Sequence, residues 1–165
     1  MTFKATLANR YLTVCNETLG WNAAVDGDDD IRFEVDGMVA YVQPDGSDPA
    51  YLRMRAGVDI GSYVADQAGL SWADPNVIAR LDRIASKLTV EIKCAKVAIL
   101  PERQAVYHSV EMLVAAPDCM PDTARLAAVL PRARRMLASA VREFREELTL
   151  YLIESVTDSA STREP

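Results

Sequence analysis

Cysteine, glycine and histidine are scarce in this sequence, and each shortage closes a route to function. The three cysteines, Cys15, Cys94 and Cys119, are odd in number and no two stand in a CxxC spacing. That reads against a disulfide framework and a zinc site, and points to reduced thiols in the cytoplasm. The seven glycines stand singly, with neither GxGxxG nor GxxxxGK[ST] to cradle a phosphate. His108 is the one histidine, in phase with Val106, Val110 and Met112. It reads as a core or interface residue, because Ser109 and Glu111 point to the other face of the same strand and supply no triad. Long apolar runs are missing too, so no membrane-spanning helix is expected. Met1–Gly20 has no charged segment followed by an apolar block, which reads against a signal peptide. No catalytic residue, metal or cofactor is expected.

Basic charge is in deficit. Eighteen Lys and Arg face 24 Asp and Glu, a net charge of −6. Such a balance favours solubility and disfavours general binding to nucleic acid or to an anionic membrane. Half of the residues are nonetheless apolar, enough for a globular core in a chain of 165 residues.

The apolar pattern predicts the elements. Phe3, Leu7, Tyr11 and Val14 recur at helical steps and Gly20 stops that helix. Ile31, Phe33 and Val35 alternate with polar residues as a strand. Asp36-Gly37 is a two-residue hairpin signal, Met38–Gln43 the returning strand and Tyr51–Ala56 a third. Asp74 and Pro75 open a helix through Leu88. Two strand candidates follow, Val90–Ile99 with a phase switch near Cys94, and Val106–Val114. Asp122 begins a last helical region, which Pro131 either kinks or divides, with an apolar stripe through Met136, Phe144 and Leu152. The expectation is an α+β fold, one antiparallel sheet of about five strands in the order α-β-β-β-α-β-β-α. Residues 1–154 form a single domain and 155–165 a polar, disordered tail.

Two charged stretches invite sharper readings. Asp26, Asp28 and Asp30 match the first ligand positions of an EF-hand loop, but its obligate Gly and bidentate Glu positions hold Ile31 and Gly37. A solvated turn before a strand is the expectation. Arg125, Arg132, Arg134, Arg135, Arg142 and Arg145 make the last helix locally basic. With Glu143, Glu146 and Glu147 interleaved it reads as a solvated helix face.

What remains is apolar surface. Phe33, Met38, Tyr41, Leu52, Met54, Tyr107 and Leu113 lie on both phases of the strands, and three helices leave part of a sheet uncovered. These seven are the expected peptide-binding residues, and a protein or peptide client is the expected partner. The alternative is a regulatory or sensor domain that docks on a protein complex or takes a small apolar ligand.

The leading helix Phe3–Leu19, the Phe33–Ala56 meander, the Val77–Leu88 helix, the Val90–Leu113 strand pair and the closing Met136–Leu152 helix resemble, in order and size, the type III secretion chaperone-like fold shared with bacterial YbjN-like proteins. The resemblance implies a non-catalytic, acidic homodimer that holds a segment of another protein. It also implies a dimer contact through the middle helix and the next strand, here Ile78, Leu81, Ile84, Val97 and Ile99.

Overall fold

Thr2 starts the first helix by accepting the Ala5 N–H on its hydroxyl at 3.2 Å. Helix α1 (Phe3–Thr13) buries Leu7, Ala8 and Tyr11, then widens into a π-helical turn over Val14–Thr18 that buries Val14 and Cys15. Gly20, at φ +66°, ends it as expected. The structure, a computed structural model, describes residues 2–59, 71–116 and 119–161, with the backbone alone at Asp59 and 155–161.

Six strands follow among the described residues: β1 (Ala24–Val25), β2 (Ile31–Val35), β3 (Met38–Pro44), β4 (Tyr51–Asp59), β5 (Ala95–Leu100) and β6 (Ala105–Leu113). Helix α2 (Pro75–Glu91) precedes β5 and helix α3 (Thr123–Ser161) follows β6. The strands make one antiparallel sheet in the order β1-β2-β3-β4-β6-β5. The expected α+β class and element order are present, with the two-residue β1 added. The chain forms two compact units: Met1–Gly57 with Ser109–Ala138, and Val58–His108 with Ser139–Pro165.

In the first unit, Asp36 (φ 49°) and Gly37 (φ 76°) make the tight β2–β3 turn that their sequence signals. That turn fixes the register Val35↔Met38, Phe33↔Ala40 and Ile31↔Val42. All six of these side chains are therefore on one face and buried, joined on β4 by Leu52, Met54 and Ala56. Helix α1 packs against β2 and β3. Burying a side chain of the size of Phe33 or Leu52 contributes roughly 1.5–3 kcal/mol before ordering costs. The opposite phase, Arg32, Glu34, Tyr41, Gln43, Arg53 and Arg55, is exposed or half-buried.

In the second unit, Asp74 accepts the Asn76 N–H at 2.8 Å and Pro75 opens α2, which buries Val77, Leu81, Ile84, Ala85 and Leu88 and packs on β5. The expected strand start at Val90 is corrected. The helix runs on to Glu91, Val90 is 84% exposed, and the chain reverses through Cys94 at φ 66° before β5 begins at Ala95. Helix extension adds a hydrogen bond per residue, here up to Ile92 N–H on the Leu88 carbonyl, and that outweighs the β preference of Val90 and Ile92. The Thr89 hydroxyl pins the returning strand, bonding the N–H and C=O of Val97 at 2.9 and 3.3 Å.

Helix α3 starts on Asp122, whose carboxylate accepts the Arg125 N–H at 2.7 Å, and passes through Pro131 without dividing. The segment 60–70, whose sequence carries no clear periodicity, lies outside the described residues. The α3 backbone reaches Ser161; of the expected tail, residues 162–165 and the side chains from 155 onward also lie outside them.

Candidate interaction surface

The acidic loop folds on itself and sends one carboxylate inward. Asp26 Oδ1 accepts the N–H groups of Asp28 and Asp30 at 2.9 and 3.0 Å, and its own N–H bonds the Asp30 carbonyl. Asp29 sits at φ 60°. This is the turn expected before a strand, with the first carboxylate occupied by backbone donors.

Asp30 is almost fully buried and is met by three donors from three elements. Lys4 Nζ of α1 lies 3.1 Å from Oδ1, while Gln43 Nε2 of β3 and Arg55 Nη2 of β4 lie 2.6 and 3.3 Å from Oδ2. Lys4 also donates to the Asp28 carbonyl. Burial of the carboxylate is tolerated because both oxygens are paired.

Around this anchor the polar phase of β2, β3, β4 and the end of β6 alternates arginine with tyrosine. The register places Arg32 opposite Tyr41 and Tyr41 opposite Arg55. The Arg55 guanidinium stands 5.3 Å from the Tyr41 ring centroid and that of Arg53 5.6 Å from Tyr51. Arg53 also pairs with Glu111 at 3.1 Å. Partial burial, then the hydrogen bond with Glu111, push the Tyr51 phenol upward. A shallow pocket of about 280 Å³ opens between Lys4, Gln43, Tyr51, Arg53 and the Asp45–Gly46 turn.

A second pocket, of about 300 Å³, lies among Trp21, Arg32, Phe33, Glu34 and Val39. Trp21 stacks on Phe33 at 4.9 Å and carries the Arg134 guanidinium at 5.0 Å. Arg134 also donates to the Glu34 carbonyl at 3.1 Å, beyond the two residues of β2 that β1 covers. An edge carbonyl is thereby satisfied by a side chain instead of another strand.

The structure divides the expected peptide-binding residues. Phe33, Met38, Leu52 and Met54 are buried on the core phase of the sheet, and only Tyr41, Tyr107 and Leu113 keep accessible surface, Leu113 at 65%. Of the expected dimer residues, Leu81, Ile84 and Val97 are buried, while Ile78 and Ile99 are half-buried. The sequence pattern reveals neither the Asp30 cluster nor the arginine–tyrosine pairing.

His108 is fully buried, edge-on to Phe144 at 5.5 Å, and among the described residues neither ring nitrogen has a hydrogen-bond partner. Burial, aided by the charge of Arg145, lowers its pKa to about 4, so the ring is neutral at pH 7. The Cys15 thiol, buried beside Tyr11, is pushed up to about 12 by desolvation and is unreactive there. No described helix is long and apolar enough to cross a membrane.

Fold and surface together define an α+β protein whose antiparallel sheet offers a polar, aromatic face. No family model matches the chain, and no curated protein matches it. Among solved structures it is similar to the crystal structure of E. coli YbjN, a protein with the provisional description of transcription regulator. The TM-score is 0.58 at 10% identity, over 83% of this chain and 90% of that one. The fold is YbjN-like; at that identity the likeness carries the fold alone.

Proposed function

We propose that this protein is a non-catalytic module that binds another polypeptide through the polar phase of β2, β3 and β4 and the end of β6. The observation that carries the reading is the contact of Arg53 with Tyr51 and of Arg55 with Tyr41, with Arg32 opposite Tyr41 in register, on a sheet face flanked by exposed Val39 and Leu113. Tyrosine and arginine are the side chains that anchor protein interfaces, because each offers a large rigid body and a polar end. The partner, on this reading, is an extended segment lying across the strands, as the chaperone-like resemblance implies. Self-association would use Ile78 and Ile99, the two expected dimer residues with accessible surface. A cytoplasmic setting suits the free Cys94 and Cys119, both exposed.

A second reading, a regulatory domain docking on a protein complex, is favoured by the description that YbjN carries. It uses the same face and differs in the partner.

The test compares the wild-type chain with the Arg32→Glu, Tyr41→Ala double variant as baits in native co-purification with mass spectrometry. A stoichiometric protein that accompanies the wild type and is absent from the variant is expected. Its retention by a folded variant would move the site elsewhere; the lack of any stoichiometric protein would end the reading.

A further inference from the structure

The first half of α3, from Thr123 to Ala138, holds Arg125, Arg132, Arg134 and Arg135 and no acidic residue, in a chain whose net charge is −6. Arg134 is engaged with Trp21 and the Glu34 carbonyl. The other three are exposed, and among the described residues their side chains have no ion-pair or hydrogen-bond partner. Asp122, just before the helix, uses its carboxylate on the Arg125 backbone N–H.

The second half of the helix is built differently. There Arg142 faces Glu146 at 4.0 Å, Glu147 receives Lys87 at 2.6 Å and Glu154 receives Arg80 at 3.2 Å. Steps of seven and three residues put Arg125, Arg132 and Arg135 on one face, spread over roughly 15 Å of axis at about 1.5 Å per residue. Ala128, also exposed, lies between them and lets a partner backbone come close.

We infer that Arg125, Arg132 and Arg135 form a docking stripe for an acidic segment of a partner polypeptide. Three planar guanidinium forks match carboxylates in bidentate pairs, and charge complementarity selects the occupant. A nucleic acid fits less well. The stripe carries no aromatic ring to stack a base. The inference rests on the reading of the chain as a protein-binding module but uses a surface separate from the sheet face.

Fluorescence anisotropy of the full chain with labelled poly-L-glutamate, and with oligothymidylate of equal charge, tests it. Wild type binds polyglutamate in a salt-sensitive manner. The triple Arg→Glu variant at these positions loses more than tenfold in affinity and the triple Arg→Gln variant several-fold. Arg83→Glu, an exposed site on α2, leaves binding unchanged. Circular dichroism checks each fold, and the Gln variant decides should the Glu variant not fold. No binding of polyglutamate, or binding indifferent to the three arginines, overturns the proposal. Tighter, stripe-dependent binding of oligothymidylate also overturns it and gives the stripe to nucleic acid. The Arg32→Glu, Tyr41→Ala variant keeps polyglutamate binding; its loss there would place acidic segments on the sheet face and sink the stripe alone.

Discussion

His108 shows what one buried side chain does to the whole stability profile. With its pKa at about 4 in the fold and near 6.5 in the unfolded chain, the imidazole is neutral in both states above pH 6.5 and contributes no slope there. As pH falls from 6.5 towards 4, the unfolded chain takes up a proton that the fold refuses, so stability falls. The loss reaches about 3 kcal/mol once pH is below both values. Denaturant midpoints from pH 7 to 4 are expected to decline more steeply for wild type than for His108→Leu. That variant also removes two buried polar atoms that have no partner among the described residues, and is expected to gain about 1–3 kcal/mol at neutral pH. Identical slopes for the two proteins would show that the ring is not held neutral by its burial. The burial of His108 is legible in the sequence from its phase with Val106 and Val110. That of Asp30 is not, because its partners Lys4, Gln43 and Arg55 come from three distant elements and only the folded register joins them.

At the scale of elements, backbone conformation separates two glycines that look alike in sequence. Gly37 lies at φ 76° with free space within 4 Å of the point a Cβ would occupy, so Gly37→Ala is costly for backbone reasons alone, by about 1–2 kcal/mol. Gly27 has the same free space and no positive φ. Gly27→Ala is therefore expected to be neutral or to stabilise by about 0.4–1 kcal/mol through the unfolded chain. Chemical unfolding of both variants checks the contrast, and equal effects would contradict the turn geometry. The same level explains which elements can be read in advance. The Asp36-Gly37 hairpin, the Asp74-Pro75 start of α2 and the Asp122 start of α3 are local signals and stand where they are expected. Val90–Cys94 departs from its pattern, because its β-branched residues obey the end of a helix rather than their own preference. β1 is two residues long and has no period to read. The expected client surface draws on apolar residues from both phases of the strands, and the phase that α1 faces takes Phe33, Met38, Leu52 and Met54 into the core.

For the whole molecule the open question is whether two compact units unfold as one. The chain passes between them at Gly57–Val58 in β4, at His108–Ser109 in β6 and at Ala138–Ser139 in α3, each time inside an unbroken strand or helix. Unfolding one unit alone would break two strands and a helix in mid-element, where hydrogen bonding is cooperative. A single transition is expected, in keeping with one domain over residues 1–154. The two tryptophans offer separate reporters, since Trp21 lies in the first unit and the buried Trp72 in the second. In Trp72→Phe the emission follows Trp21, and in Trp21→Phe it follows Trp72. Within each variant, the tryptophan midpoint in urea is expected to coincide with that of far-ultraviolet circular dichroism. Calorimetric and van't Hoff enthalpies of the wild type should agree. A tryptophan signal that moves before the dichroism in either variant would mean that the shared elements do not couple the units, and the chain would then be two domains.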